Sequence, residues 1–346
     1  MSRNSKDNAT LEEGTVTHIR NRLAVLLPLA AALALMSAAA HAETTLRLLS
    51  AWTPNNPNVP NIETVFIKNV EAASKGEIKI ERRGPEVASP FEQLQPVSAG
   101  VFDILFTTPG YHQGQTGVAN MFDAFKPDME ALRAAGLTQK ADAYYRKRYG
   151  LGILALHPAP GNHFVLKDGL AADGTLKGMK VRANATFEGV VRALGGTPVN
   201  MGPADAYSAM QKGVLEGITF PAFASADYKL YEVGKVMTRP VFGLSNVLFL
   251  INVRKLESLP PSQQKILLEE GRKIEAIGKA ALERVAVDDE ARMKQNGVKI
   301  VEFSAALAPK LNAMYNEGIL ATAGKSSPAE TKELWELAKA KSLLNQ

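Results

Sequence analysis

LKGMKVRANATFEGVVRALGGTPVNMGPADAYSAMQKGVLEG, residues 176–217, places one arginine where a short strand gives way to a helix. Lys180 and Val181 continue a strand-like run into Arg182, Asn184 and Thr186 offer helix-capping oxygens, and residues 187–194 carry apolar side chains at helical spacing. In α/β folds such junctions face the crevice, and an arginine there presents a planar fork of donors that binds a carboxylate bidentately. Arg182 therefore reads as a ligand clamp for a carboxylate. The alternative is that it pairs with an Asp or Glu of the protein across a domain surface.

Outward from this segment, short apolar runs alternate with helical stretches, which predicts an α/β architecture. Strands are predicted over 45–51, 77–82, 102–107 and 151–157, with helices over 62–74 and 93–99, so the first half runs βαβαβ. The loop at 158–162 is a candidate crossing from a first lobe to a second, and a strand over 246–252 a candidate crossing back. These crossings divide the chain into a first lobe of 43–160 with 250–290 and a second of 161–249 with 291–346. Two lobes joined by strands suit hinge closure on a ligand. From 261 to about 296 there is no proline after the first position and helical spacing persists, with Ser262 as a candidate N-cap and Gly297 as the stop. So long a helix either kinks near Gly278 or lies across both lobes.

Composition bounds the compartment. His18, Arg20 and Arg22 precede an apolar run over 23–36, and SAAAHA ends at Ala42 with the small-x-small pattern of signal peptidase, so a secretory signal over 1–42, cut after Ala42, is predicted. The run is shorter than the roughly 20 residues that span a bilayer, which disfavours a retained anchor. Cysteine is absent, so a core large enough to do without disulfides must hold the mature chain. The formal charge is +5, and removing 1–42 takes away four basic and three acidic residues to leave +4. The charges are interspersed, which gives nucleic-acid binding little support.

Catalytic motifs are missing. His112, His157 and His163 are the histidines beyond the signal, with no HExxH and no zinc-ligand spacing. There is no G-x-S-x-G and no G-x-G-x-x-G, and AGKSS at 323–327 lacks the earlier glycine of a phosphate loop. No metal or cofactor is implied, and a binding protein fits better than an enzyme.

Pocket candidates come from loops after strands. Trp52 follows the first strand, where an aromatic can cover a ligand or pack in a core. Tyr111 and His112 lie in the polar, glycine-flanked loop TPGYHQGQTG, suited to hydrogen bonding a solute. Asn184 beside the clamp and Asn246 on the returning strand complete the polar candidates.

The segment around Arg182 resembles the periplasmic solute receptors of tripartite ATP-independent periplasmic (TRAP) transporters, the DctP-like group. Their pattern of LKGxKxR, LGAxPVxM, Y-x-A-L-Q and G-V-x-D-G stands here as LKGMKVR, LGGTPVNM, YSAMQ and GVLEG, with Glu216 in place of the usual Asp. The likeness covers most of 45–315, including LRLLSAW, RRGPEVASPFEQLQPVSAGVFDI and YEVGKVMTRP. It implies a two-lobed periplasmic binding protein with a ligand cleft between the lobes and a long helix spanning both. It also implies a small-molecule carboxylate ligand and partner membrane subunits of a TRAP permease driven by an ion gradient.

Two departures bear on the ligand. Many such receptors carry a second arginine about twenty residues before the first, where this chain has Asn162 beside His163, and an Asn-Pro where this chain has Phe220-Pro221. Both changes remove polarity. With Phe187 and Phe223 close in sequence, they point to a monocarboxylate with an apolar or aromatic body. Competing readings are a receptor of another transport or sensing system, or a secreted enzyme on the same scaffold.

Overall fold

The computed structural model describes residues 43–345; the predicted signal segment and its cleavage after Ala42 lie outside the described residues. The chain first builds β1 (Thr44–Ser50), β2 (Ile78–Arg83), β3 (Ile104–Thr107) and β4 (Leu151–Ala159). It crosses at residues 160–161 into β5 (Asn162–Leu166), β6 (Lys180–Arg182), β7 (Thr197–Val199), β8 (Gly217–Pro221) and β9 (Val236–Arg239). It returns at 240–244 into β10 (Ser245–Asn252) and, after a long helix, ends its strands with β11 (Lys299–Glu302). The first sheet has the order β2-β1-β3-β10-β4 and the second β11-β9-β5-β8-β6-β7. The strands predicted in the first half lie within a residue or two of their observed places. β10 pairs wholly with β3 and β4, so residues 245–249, grouped above with the second lobe, sit in the first sheet.

Alternation along the strands explains why each sheet is covered on both faces. Ile104 and Phe106 of β3, Val247, Phe249 and Ile251 of β10, and Ile218 and Phe220 of β8 belong to one buried core. Leu105, Leu248, Leu250, Phe164 and Leu166 point to the other. Each core draws on both sheets.

The helix Pro261–Gln295 runs unbroken through 35 residues and buries Leu267, Ile274, Leu282 and Met293 in the first of these cores. Its start differs from the sequence reading: Ser262 lies inside the first turn, because Pro261, with φ already helical and no N–H to orphan, takes the first position. Its end is a Schellman motif, with Gly297 at φ +84, Gly297 N–H on Lys294 O (2.9 Å) and Val298 N–H on Met293 O (3.1 Å).

The helix is anchored to both lobes. On the first, Glu275 accepts from Arg133 at 2.6 Å and from Leu156 N–H at 3.1 Å, and Gly271 and Gly278 let it lie directly on β4. On the second, Asp289 accepts from Ala226 N–H at 2.8 Å, Glu290 pairs with Arg239, and Arg292 pairs with Asp227 at 2.6 Å. Of the two sequence alternatives, spanning both lobes is the one observed.

Helix Leu311–Ser326 covers the opposite face, meeting the short helix Glu188–Ala193 backbone to backbone where Gly318 touches Gly189. Helix Pro328–Ala340 instead packs on Leu137–Tyr149, and Asn345 N–H reaches Ala124 O at 2.8 Å. The segment 291–346 thus divides: β11 joins the second sheet, and the chain from 328 on returns to the first lobe.

Gly271→Ala tests the helix seat. A Cβ there runs into the Leu154 carbonyl, so the usual gain of about 1 kcal/mol from Gly to Ala in a helix turns into a loss of roughly 1–2 kcal/mol in denaturant unfolding. Gly324→Ala, whose Cβ meets only Thr331 Oγ1 at 3.9 Å, raises stability in the same assay.

Candidate functional site

Between the lobes lies a cavity of about 60 Å³. The second lobe contributes Arg182, Asn184 and Phe220; the first contributes Trp52, Tyr111 and Asp123; β10 contributes Asn246. Arg182 is the last residue of β6, and its side chain is 2% exposed. Nε donates to Met201 O at 2.9 Å and Nη1 to Thr219 O at 3.2 Å. Among the described residues no Asp or Glu pairs with it, so the ion-pair alternative is not what the structure contains. Burial pushes its pKa down, with Tyr111 and Tyr228 acting in the opposite direction.

Asn184 does not cap the following helix. Its Oδ1 accepts from Thr186 N–H at 3.1 Å, closing a local turn, and the helix begins at Glu188 with Phe187 in the capping position. This turn faces Gly110 of the other lobe, where a Cβ would stand 3.1 Å from Asn184 Nδ2, so a glycine is what lets the two lobes meet there.

The aromatic wall is held from behind. Trp52 packs edge-on to Phe106 at 4.9 Å, and its carbonyl accepts from Arg82. Arg82 in turn pairs with Glu63, a fully buried carboxylate that also accepts from Ser50. Glu63 closes a wide helical turn, Val59–Glu63, in which Thr64 N–H reaches back to Val59 O. Burial raises the pKa of Glu63, opposed by Ser50 and Arg82. Tyr111 is pushed up to about 12, first by burial, so its hydroxyl stays neutral. Tyr228 stacks edge-on against Phe220 at 5.0 Å and accepts from Asn56 Nδ2 at 3.3 Å.

Three candidates lie outside the cavity, each for a physical reason. His112 is buried with Nε2 3.0 Å from Thr107 Oγ1, and burial lowers its pKa to about 4. His163 takes Arg239 Nη1 on Nδ1 at 2.9 Å; that nitrogen is therefore the acceptor, and Nε2 donates to Ser225 Oγ at 2.7 Å. Its pKa falls to about 3, burial first and the Arg239 charge second, so it is a neutral strut between β5 and the long helix. Asn162 is spent on the crossing: its backbone pairs with Phe242 in both directions and its Oδ1 accepts from Ser245 Oγ at 2.9 Å.

Asp123 was not legible in the sequence. It sits in the apolar stretch ANMFDAF, and nothing local distinguishes it. Its Oδ1 accepts from Asn246 N–H at 2.8 Å and Asn246 Nδ2 at 2.7 Å. Burial pushes its pKa up to about 7, against the Asn246 donors and, in one orientation of its amide, Asn120. Asn246 thus reaches the cavity as the support of this carboxyl. Among the described residues no group of three or more His, Cys, Asp or Glu is placed to hold a metal ion, and no helix is long and apolar enough to cross a membrane.

Residues 49–318 match DctP, bacterial extracellular solute-binding protein, family 7. The uncharacterized protein YiiZ of Salmonella typhimurium is 26% identical over 318 residues, covering 86% of this chain and 93% of that protein. Among solved structures, a TRAP periplasmic solute-binding protein of Desulfovibrio salexigens with bound orotic acid superimposes with a TM-score of 0.75 at 19% identity, covering 86% of this chain and 98% of that one. A marine metagenome TRAP solute-binding protein specific for aromatic acid ligands, in complex with metahydroxyphenylacetate, gives 0.71 at 24% identity, covering 86% and 98%.

The raised Asp123 pKa makes stability fall with pH. The folded protein holds this proton more tightly than the unfolded chain, so the contribution is full below about pH 4, the ordinary carboxyl range, and is lost as pH rises through about 7. Asp123→Asn keeps the acceptor for Asn246 without the charge, and it is expected to melt above the wild type at pH 8 and level with it at pH 4.5. Asp289, also pushed up to about 7 by burial, gives a slope of the same sign that remains in the variant.

Proposed function

The chain belongs to bacterial extracellular solute-binding protein family 7, and from that premise we propose that its inter-lobe cavity captures an organic acid whose carboxylate pairs with Arg182. A receptor of this family binds and releases its solute; no bond is made or broken. The observation that carries the reading is a guanidinium buried without a carboxylate partner among the described residues, because such a charge is stabilised by an anion brought from outside. The two carbonyls on Nε and Nη1 fix the plane of the fork, and Nη2 makes no hydrogen bond among the described residues.

Phe187, Phe220 and Phe223 line the same space with Trp52, so the body of the acid meets mostly apolar and aromatic surface. The solved relatives with bound orotic acid and metahydroxyphenylacetate hold monocarboxylates with flat cyclic bodies, and a monocarboxylate with an apolar or aromatic body is the class proposed for this chain. Ligand contacts with both lobes favour the closed arrangement over an open one, which is the population shift a receptor needs. Proteins of this family are periplasmic; delivery of the acid to TRAP permease subunits, after cleavage at Ala42, completes the proposal.

Protein covering residues 43–346, unfolded and refolded to strip carried-over ligand, is to be screened by thermal shift against aromatic, aliphatic and C4 acids. A monocarboxylate is expected to raise the melting temperature. Arg182→Ala is expected to weaken its binding at least about 100-fold, and Arg182→Lys, which keeps charge and loses the fork, roughly 10-fold. Undiminished affinity in Arg182→Ala sinks the assignment.

A further inference from the structure

We infer that the captured acid bears, besides its carboxylate, an N–H or O–H donor that is accepted by Asp123 Oδ2, and that Asp123 thereby selects among acids. This rests on the reading of the cavity as the capture site.

Asp123 is 2% exposed and lines the cavity together with Arg182, yet the two are not an ion pair, and no other cation among the described residues pairs with Asp123. Oδ1 is saturated by the two Asn246 donors, and Oδ2 is not. The amide of Asn120 is satisfied when its nitrogen donates to Pro109 O at 3.0 Å and its oxygen accepts from Gly110 N–H at 3.2 Å and Thr186 Oγ1 at 3.3 Å. In that orientation the atom 3.4 Å from Asp123 Oδ2 is the amide oxygen, a second acceptor.

Neighbouring donors are committed elsewhere. Ser245 Oγ donates to Asn162 Oδ1 at 2.9 Å, and Tyr315 Oη to Leu244 O at 2.5 Å. Thr186 Oγ1 is engaged by Asn120. In its ionised form Asp123 Oδ2 takes its donor through the cavity, from the solute; in its protonated form it faces the Asn120 amide oxygen instead. The cavity thus holds a buried cation and, separately, a buried acceptor, which match the two ends of one small molecule. An acid lacking the donor leaves this carboxyl desolvated and unpaired, or forces it to hold a proton, which is how a buried polar group rejects an analogue.

Proton linkage gives the inference a second signature. With its pKa raised to about 7 by burial, Asp123 must lose a proton to accept from the ligand, so affinity for a donor-bearing acid rises from pH 6 to pH 8. A donor-free acid is tolerated by the neutral carboxyl and penalised by the ionised one, so its affinity does not rise with pH and the discrimination is largest at pH 8. The groups facing Asp123 are Asn246 on β10, Asn120 on its own turn, Tyr315 on helix Leu311–Ser326, held well above its usual range by burial, and Arg182 across the cavity. None of them titrates in that window.

The test is calorimetry on matched probes, 3-hydroxyphenylacetate against phenylacetate and pyroglutamate against cyclopentanecarboxylate, at pH 6, 7 and 8, with wild type and Asp123→Asn. The donor-bearing member of the better-binding pair is expected to win by at least about 30-fold in the wild type. In Asp123→Asn, which turns an NH2 toward the cavity and whose folding is checked by its melting curve, that preference and the pH slope are expected to vanish. Equal affinity within each pair, with binding still lost in Arg182→Ala, overturns the selection by Asp123 and leaves carboxylate capture standing. Failure of every acid to bind takes down both.

Discussion

A guanidinium buried without a carboxylate partner among the described residues is the constraint around which the inter-lobe region is arranged. Desolvating such a charge costs several kcal/mol even after relaxation, and Arg182 offsets part of that by donating to Met201 O and Thr219 O, carbonyls delivered by the segment after β7 and by β8. The remaining donor capacity faces a space closed by the other lobe. Trp52 and Tyr111 make that wall apolar, which strengthens any interaction Arg182 makes with an anion by lowering the local dielectric. The same low dielectric raises Asp123 and holds His112 and His163 neutral.

Holding this geometry requires the lobes to keep register through two short crossings, the long helix and the C-terminal helices that lead from β11 back to the first lobe. The crossings at 160–161 and 240–244 are laced together by the paired backbones of Asn162 and Phe242, with Ser245 Oγ on Asn162 Oδ1. The long helix is tied to the first lobe through Glu275 and to the second through Asp289, Glu290 and Arg292. Polar groups are concentrated at these junctions, and the apolar cores on either face supply the cohesion. His163, through Arg239 and Glu290, belongs to this lacing, which is why it has no free nitrogen for a solute.

Residue placement shows where sequence reasoning reaches. Trp52, Tyr111 and Arg182 stand at or just after strand ends, and a strand end points its next side chains into a crevice whatever the partner lobe does. His112 follows the same rule by one residue, but the tight turn Pro109–Tyr111 swings it inward onto Thr107. Asn162 was placed by its offset from Arg182, and offset along the chain says nothing about a side chain drawn into the crossing. Asp123 lies in ANMFDAF with no local signature, and its significance arises from Asn246, 123 residues away.

By itself, the sequence determined the α/β alternation, the βαβαβ opening, the 35-residue helix with its glycine stop, and the strand-to-helix junction that carries Arg182. These follow from periodicity and from the local conformational preferences of Gly and Pro. Tertiary structure alone decided that Arg182 would be buried without a carboxylate, that the long helix would be pinned on both lobes, and that Asp123 would share the cavity. Those outcomes are desolvation and pairing events among residues distant in the chain, and their energies exist only once the lobes have met.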